Sequence, residues 1–246
     1  MLNRKQQRRY ARNLSMPEIG ENGQEKLLRS KVLVAGVGGL GSPAALYLAA
    51  AGIGTLALAD ADRVSLSNLQ RQILHTTASV GSAKVTSAAE RLQAINPDTR
   101  LTLYPFALDR ENVRDIVALY DFVIEATDSF HAKLLVARAC QESGKPYVHA
   151  GVNRFHGQAM TVMPGKTTCF GCLFHHAETQ EEENPEGPLG TLPGVLGAIQ
   201  ATEAIKYLLS IGRPLFDTLL TCDLLSMNIR RIAVERDPNC PLCGKF

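Results

Sequence analysis

The sequence predicts an α/β protein built on a doubly wound, mostly parallel sheet with a C-terminal antiparallel extension. Three observations carry that expectation. Short apolar runs of strand length alternate with helix-length segments from residue 31 to about 150. The first of these runs ends in a glycine cluster that opens a helix. After Gly151 the alternation stops, and strand-like segments follow without helices between most of them.

Taken in order, the first thirty residues read as polar helices, with Pro17 where a second helix begins, because Pro suits a first helical turn. Residues 32–35 are a buried strand, and 42–51 an apolar helix closed by Gly52. Residues 56–59 form a second strand, and 78–95 have helical spacing that stops before Asn96-Pro97. Residues 101–104 are a third strand, and Asp109 caps a helix running to about 119. The fourth strand, 122–126, precedes a helix over 129–143, and 147–150 is the fifth strand. Beyond it, 158–163 reads as a strand, 175–190 as a loop rich in Glu, Asn, Pro and Gly, and 192–211 as a long helix. Residues 215–221 and 228–234 read as an antiparallel pair. With no internal repeat or long linker, residues 1–246 are expected to form one domain: N-terminal helices over 1–30, a nucleotide-binding core over 31–152, and a remainder over 153–246.

Composition narrows the classes of function. The 246 residues are 45% hydrophobic and 20% charged, with net charge +2, so nothing in the balance asks for bulk nucleic-acid or membrane binding. The start, MLNRKQQRRYARN, is basic and is not followed by an apolar segment of signal-peptide length. The apolar stretch 40–53 is too short to span a bilayer and carries Ser, Pro and Gly. A cytoplasmic protein with no membrane and no nucleic-acid partner is expected. Four of the six cysteines fall into two C-x-x-C pairs, which without an export signal favours metal over disulfides.

Gly36-Val37-Gly38-Gly39-Leu40-Gly41 fits G-x-G-x-x-G in its required setting, after a strand and before a helix, as in Rossmann-like nucleotide-binding folds. Glycines let the backbone approach phosphate, and the helix N-terminus offers free N–H groups and partial positive charge. Asp60 ends the next strand, where an acidic side chain accepts hydrogen bonds from ribose hydroxyls. The polar loop that follows carries Asp62 and brings Asn68, Arg71 and Gln72 near the sugar end, and Lys84 comes next. Hydride transfer needs no cations beside the phosphates. Splitting a triphosphate does, because charge builds on its oxygens. Asp128 lies at the strand edge where ligands bind in such sheets, placed to hold Mg²⁺. Taken singly, Asp128 reads equally as a helix cap, and Arg71 and Lys84 as surface charges.

Cys169-Phe170-Gly171-Cys172 and Cys240-Pro241-Leu242-Cys243 each let two sulfurs face one tetrahedral ion. Together Cys169, Cys172, Cys240 and Cys243 predict a Cys₄ Zn²⁺ site, structural because protein ligands fill the ion. A redox pair is the alternative, though the early strand–helix placement of such pairs is missing. His175 and His176 are left as loop histidines. Cys140 and Cys222 read as small buried hydrophobes.

The blocks G-x-G-G-L-G-S, D-x-D-x-V-x-x-S-N-L-Q-R-Q, V-G-x-x-K and A-T-D resemble the ThiF/MoeB/HesA family, bacterial relatives of ubiquitin-activating enzymes. The resemblance runs from about Arg9 to Gly244; the S-N-L-Q-R-Q block is highly specific, the glycine block is not. It implies ATP-dependent adenylation of the Gly-Gly tail of a ubiquitin-like sulfur carrier such as ThiS or MoaD, with sulfur then coming from a separate persulfide or sulfide donor. In such a protein Asp60 would bind ribose, Asn68, Arg71 and Lys84 would hold phosphates, and Asp128 would bind Mg²⁺. Arg12, within Tyr10-Ala11-Arg12-Asn13, matches the family's arginine finger that reaches the ATP of the other subunit, which implies a homodimer; from the residues alone it is a solvated helix charge. Some family members carry a further cysteine in the loop before the helix. This chain has Asn184-Pro185-Glu186-Gly187-Pro188-Leu189-Gly190-Thr191 there, so covalent carrier transfer is put in doubt while adenylation is untouched. Rival readings are a nicotinamide-dependent oxidoreductase, a non-catalytic carrier-binding protein, and a related enzyme acting on a small molecule or a modified tRNA base.

Overall fold

The computed structural model describes residues 1–174 and 187–244. Three short helices, α1 (Arg4–Arg9), α2 (Ala11–Leu14) and α3 (Gly20–Arg29), lead into β1 (Lys31–Ala35), α4 (Gly41–Ala51) and β2 (Thr55–Ala59). Then come α5 (Lys84–Ile95), β3 (Arg100–Tyr104), α6 (Val113–Ala118), β4 (Phe122–Glu125) and α7 (Phe130–Ser143). The remainder is β5 (Tyr147–Asn153), β6 (His156–Val162), α8 (Phe170–Phe174), α9 (Thr191–Leu209), β7 (Thr218–Asp223) and β8 (Asn228–Ala233).

All eight strands make one sheet in the order β3-β2-β1-β4-β5-β6-β7-β8. The first five are parallel, and β6, β7 and β8 add on as antiparallel neighbours. This is the fold class the alternation predicts. Alternate residues of β1 enter opposite cores: Val32 and Val34 face α4, α5 and α9, while Leu33 and Ala35 face α6, α7 and α8. Hence the strand is apolar throughout rather than alternating.

Four local readings need correction. Pro17 lies in a turn, and the helix starts only at Gly20, whose φ of 55° interrupts helical backbone there. The helix read over 78–95 begins at Lys84. Gly81 at φ 89° turns the chain so that Gly81 and Ser82 bond Val64 instead. Asp109 caps a turn, accepting from the Glu111 and Asn112 amides, and α6 follows at Val113. Strand β7 starts at Thr218 because Asp217, at φ 48°, breaks extended backbone. Among the described residues no helix is long and apolar enough to cross a membrane.

Candidate nucleotide-binding site

From β1 the chain winds one way to β2 and β3 and the other way to β4 and β5, so the crevice beyond the ends of β1 and β4 is the switch point of the sheet. A cavity of about 500 Å³ opens there. It is lined by Gly36, Gly38 and Gly39 after β1, Asp60 and Asp62 after β2, Arg71, Gln72 and Lys84, and Asp128 after β4. Seven separate predictions along the chain thus meet in one place.

The glycines divide the work. A side chain at Gly36 (φ 91°) would come within 2.5 Å of the Ala126 carbonyl, and one at Gly41 within 1.9 Å of the Gly36 carbonyl, so these two make the turn itself. Gly41 does not line the cavity. Gly38 does, with its nearest neighbour the Gln72 side chain at 3.6 Å from a Cβ, and the Gly38 and Gly39 amides have no acceptor among the described residues. With the N-terminus of α4 behind them, they suit an anionic group.

Asp60 braces this turn: Oδ2 accepts from the Val37 amide at 2.8 Å and Oδ1 from the Asp62 amide at 2.9 Å. Lys84, the first residue of α5, is buried and donates to Asp62 Oδ2 at 2.7 Å, with Asp60 Oδ2 at 3.9 Å. Arg71 Nη1 donates to the Ser67 carbonyl at 3.3 Å. Gln72 is buried, and its Oε1 has no partner among the described residues. Such an orphaned acceptor on a cavity wall fits a polar ligand. Asn68 is not a lining residue. Its Oδ1 accepts from the Ser65 amide and its carbonyl accepts from the Arg71 and Gln72 amides, so it shapes the loop that presents them. The Asp128 carboxylate is exposed and has no partner among the described residues, and Ser129 beside it caps α7 through the Ala132 amide.

Several participants were missed by sequence reading. His75, buried, bonds the Val37 carbonyl at 3.2 Å and Ser87 Oγ at 3.0 Å, and burial lowers its pKa. Phe106, Ala107 and Leu108 wall the cavity beyond β3; the topology rule that ligands sit beyond strand ends is the signal that points to them. Lys133 also lines it, and a second groove of about 560 Å³ over β5 to β8, with Asn153, His156, Gln158, Thr221 and Arg230, meets the first at Gly151 and Val152. Gly187 and Pro188 close the cavity from the α9 side. Residues 175–186 of the expected loop, including His175, His176 and the 184–186 part of the cysteine-free stretch, lie outside the described residues.

Arg12 is exposed on α2 and does not reach the cavity of its own chain. Its segment is held firmly: buried Tyr10 accepts through its hydroxyl from Asn96 Nδ2 at 2.9 Å, and Asn13 donates to Gln24 at 2.9 Å.

The four predicted metal cysteines come together. Their Sγ atoms all lie within 4.8 Å of one another, with neighbours at 3.5 to 3.7 Å. A tetrahedron of roughly 2.3 Å Zn–S bonds has edges of about 3.8 Å, so the donor set fits Zn²⁺. Hydrogen bonding with Cys169 pulls the Cys172 thiol down to about 4, while burial pushes Cys243 up to about 11. Ionising all four at such spacing calls for a cation among them. Cys140 and Cys222 are buried, as read.

The ThiF family model matches residues 10–242. The chain is 42% identical over 240 residues to the SAMP-activating enzyme E1 of Haloferax volcanii, covering 96% of this chain and 88% of that protein. It is 42% identical over 238 residues to the sulfur carrier protein ThiS adenylyltransferase of Escherichia coli strain K12, covering 96% and 94%. A crystal structure of E. coli MccB with ATP superposes with a TM-score of 0.78 at 23% identity, covering 99% of this chain and 82% of that one. This last likeness is one of fold.

Proposed function

The chain belongs to the ThiF family, and from that premise we propose that it uses ATP to adenylate the C-terminal glycine of a ubiquitin-like sulfur-carrier protein. The observation that carries the reading is the convergence of the glycine turn, Asp60, Arg71, Lys84 and Asp128 on one cavity at the switch point.

In this mechanism Asp60 accepts from the ribose hydroxyls, and the Gly38 and Gly39 amides with the α4 N-terminus receive phosphate oxygens. Asp62 and Gln72 complete the polar wall around the nucleotide, and Asn68 holds the loop that presents Arg71 and Gln72. Asp128 would hold Mg²⁺, which would supply charge neutralisation on the phosphates. The carrier tail runs along the groove over β5 to β8 and enters at Gly151 and Val152. Its carboxylate oxygen attacks the α-phosphorus, the bond from that phosphorus to the bridging oxygen breaks, and pyrophosphate leaves. Arg71 and Lys84, with Arg12 from the second subunit of a homodimer, stabilise the charge that passes to the leaving group. Sulfur then comes from a separate persulfide or sulfide donor: sulfide displaces AMP from the acyl-adenylate to give the thiocarboxylate, whereas a persulfide displaces AMP to give an acyl disulfide that an external thiol reduces to the thiocarboxylate, the thiol being oxidised to a disulfide. The resulting thiocarboxylate serves thiamin, molybdopterin or a related cofactor route in the cytoplasm. The continuous sheet supports treating 1–246 as one adenylation domain, and Zn²⁺ on the four cysteines ties the C-terminus to the segment ahead of α8.

ATP–pyrophosphate exchange with Gly-Gly-tailed carriers tests this. Exchange with a cognate carrier that Asp128→Ala abolishes is expected. Absence of exchange with every such carrier, together with unchanged Mg²⁺-dependent ATP binding in Asp128→Ala, overturns it.

A further inference from the structure

Beside the cavity sits a buried ion pair that none of the steps above uses. Glu125, the last residue of β4, and Lys133, one turn into α7, are both buried, with Lys133 Nζ 3.1 Å from Glu125 Oε2. Charges are not taken out of water without a compensating arrangement, and a buried pair by itself adds little stability. Here the arrangement is specific. Lys133 Nζ also donates to the Thr127 carbonyl at 2.6 Å and to the Ala150 carbonyl at 2.8 Å. An ammonium has three protons, and these three partners use them all. Lys133 therefore has none left for a substrate.

The two carbonyls identify what the lysine does. Thr127 directly precedes Asp128, and Ala150 directly precedes Gly151, where the two cavities meet. β4 and β5 pair only as far as Glu125 and His149, so beyond that point no ladder ties the chains and the Lys133 ammonium spans the gap. Glu125 completes the clamp from beneath. Its Oε1 accepts from the Thr127 amide at 2.9 Å and the Thr127 hydroxyl at 2.5 Å, and its Oε2 accepts from His149 Nδ1 at 2.9 Å. Thr127 is thus held at amide, hydroxyl and carbonyl together.

We propose that Lys133 is a positioning residue for adenylation, clamping Thr127 to Ala150 so that the metal-binding carboxylate of Asp128 and the entry of the carrier tail at Gly151 stay at a fixed spacing. The proposal rests on the adenylation reading above. It concerns only the metal-dependent part of the site, since Asp60 and the glycine turn are anchored elsewhere.

Lys133→Met alone strands the Glu125 carboxylate in the core, so the test is the double variant Lys133→Met/Glu125→Gln, which leaves no lone buried charge. Three quantities are read on the full chain: carrier-dependent ATP–pyrophosphate exchange, the Mg²⁺ concentration giving half-maximal ATP binding by calorimetry, and AMP affinity in EDTA. The expected result is an exchange kcat lower by roughly 10²-fold, the loss that an ångström of misplacement produces, a Mg²⁺ midpoint raised by about tenfold, and AMP affinity unchanged within threefold. A merely structural role would lower AMP affinity with kcat and leave the Mg²⁺ midpoint in place, and that result, or exchange at the wild-type level, overturns the proposal. Wild-type protein without exchange on any carrier would refute the adenylation reading instead, and the Mg²⁺ midpoint would still decide on the clamp.

Discussion

Lys84 Nζ sits 2.7 Å from Asp62 Oδ2, but the two side chains live in different environments: that of Lys84 is 7% exposed and that of Asp62 is 64% exposed. The lysine is aimed by its burial at the head of α5, and the aspartate supplies a solvent-screened partner that adds at most about 1 kcal/mol. The two therefore separate by mutation. Lys84→Met is expected to lower exchange by about 10²- to 10³-fold, the range for losing one preorganised donor to developing charge. Asp62→Asn is expected to change the Tm by only a few degrees. Thermal melts beside exchange kinetics check both. A Lys84→Met enzyme with wild-type kcat would show that this ammonium faces no charge in the transition state.

The zinc reading predicts one Zn²⁺ per chain by elemental analysis. Because Cys240 and Cys243 lie 71 residues from their partners Cys169 and Cys172, a bound ion would cross-link the C-terminus to α8. Cys240→Ser is expected to release the metal and cost about 3 kcal/mol or more, which at 2–4 °C per kcal/mol is a Tm lower by about 10 °C. Retained zinc with an unchanged Tm would remove Cys240 from the ligand set.

How legible all this was depends on how each residue announces itself. Asp60 and Asp128 are polar residues at the ends of apolar runs, and strand-end position is readable from pattern, so their place on the cavity was legible along with that of the glycine turn. The cysteine pairs were legible for the same reason: spacing alone carries them. Lys133 was not. In Phe130-His131-Ala132-Lys133-Leu134-Leu135 it reads as a solvated helix lysine, and only the registry of β4 against α7 brings Glu125 beneath it. The start of α5 was misjudged because the chain near Gly81 pairs with Val64, a contact that helical periodicity does not record. The groove over β5 to β8 is a property of the folded sheet, with no local signal.

Stability should fall in acid in two windows. Burial lowers the pKa of His75, so the folded chain refuses a proton that the unfolded chain accepts below about 6.5. Stability is then full above that value and declines as pH drops below it. His75→Gln, which can still bond Val37 and Ser87, is expected to flatten that decline by up to about 1.4 kcal/mol per pH unit. Glu125 acts lower. Burial alone would raise its carboxyl, but Lys133, His149 and Thr127 outweigh it and hold it at about 2. Its stabilisation is present above the ordinary carboxylate range and is lost as pH falls from about 4.5 toward 2. Denaturant melts across pH 2 to 8 read both windows, and an unaltered pH 7-to-5 slope in His75→Gln would contradict the first.

Arg12 offers the sharpest test of the homodimer. It is solvent-exposed, lies off the cavity of its own chain, and rides on a segment fixed by Tyr10–Asn96 and Asn13–Gln24. A rigidly mounted arginine whose side chain has no partner among the described residues suits a neighbour's site. If it completes the partner's cavity, Arg12→Ala and Asp128→Ala are each inactive alone, yet a mixed dimer holds one whole site: the Asp128 cavity of the first variant with the Arg12 of the second. Random reassortment of equal amounts makes half the dimers mixed, each with one of two sites competent. Exchange activity should therefore return to about a quarter of wild type. If Arg12 acts within its own chain, every site in the mixture lacks one residue or the other, and mixing restores nothing.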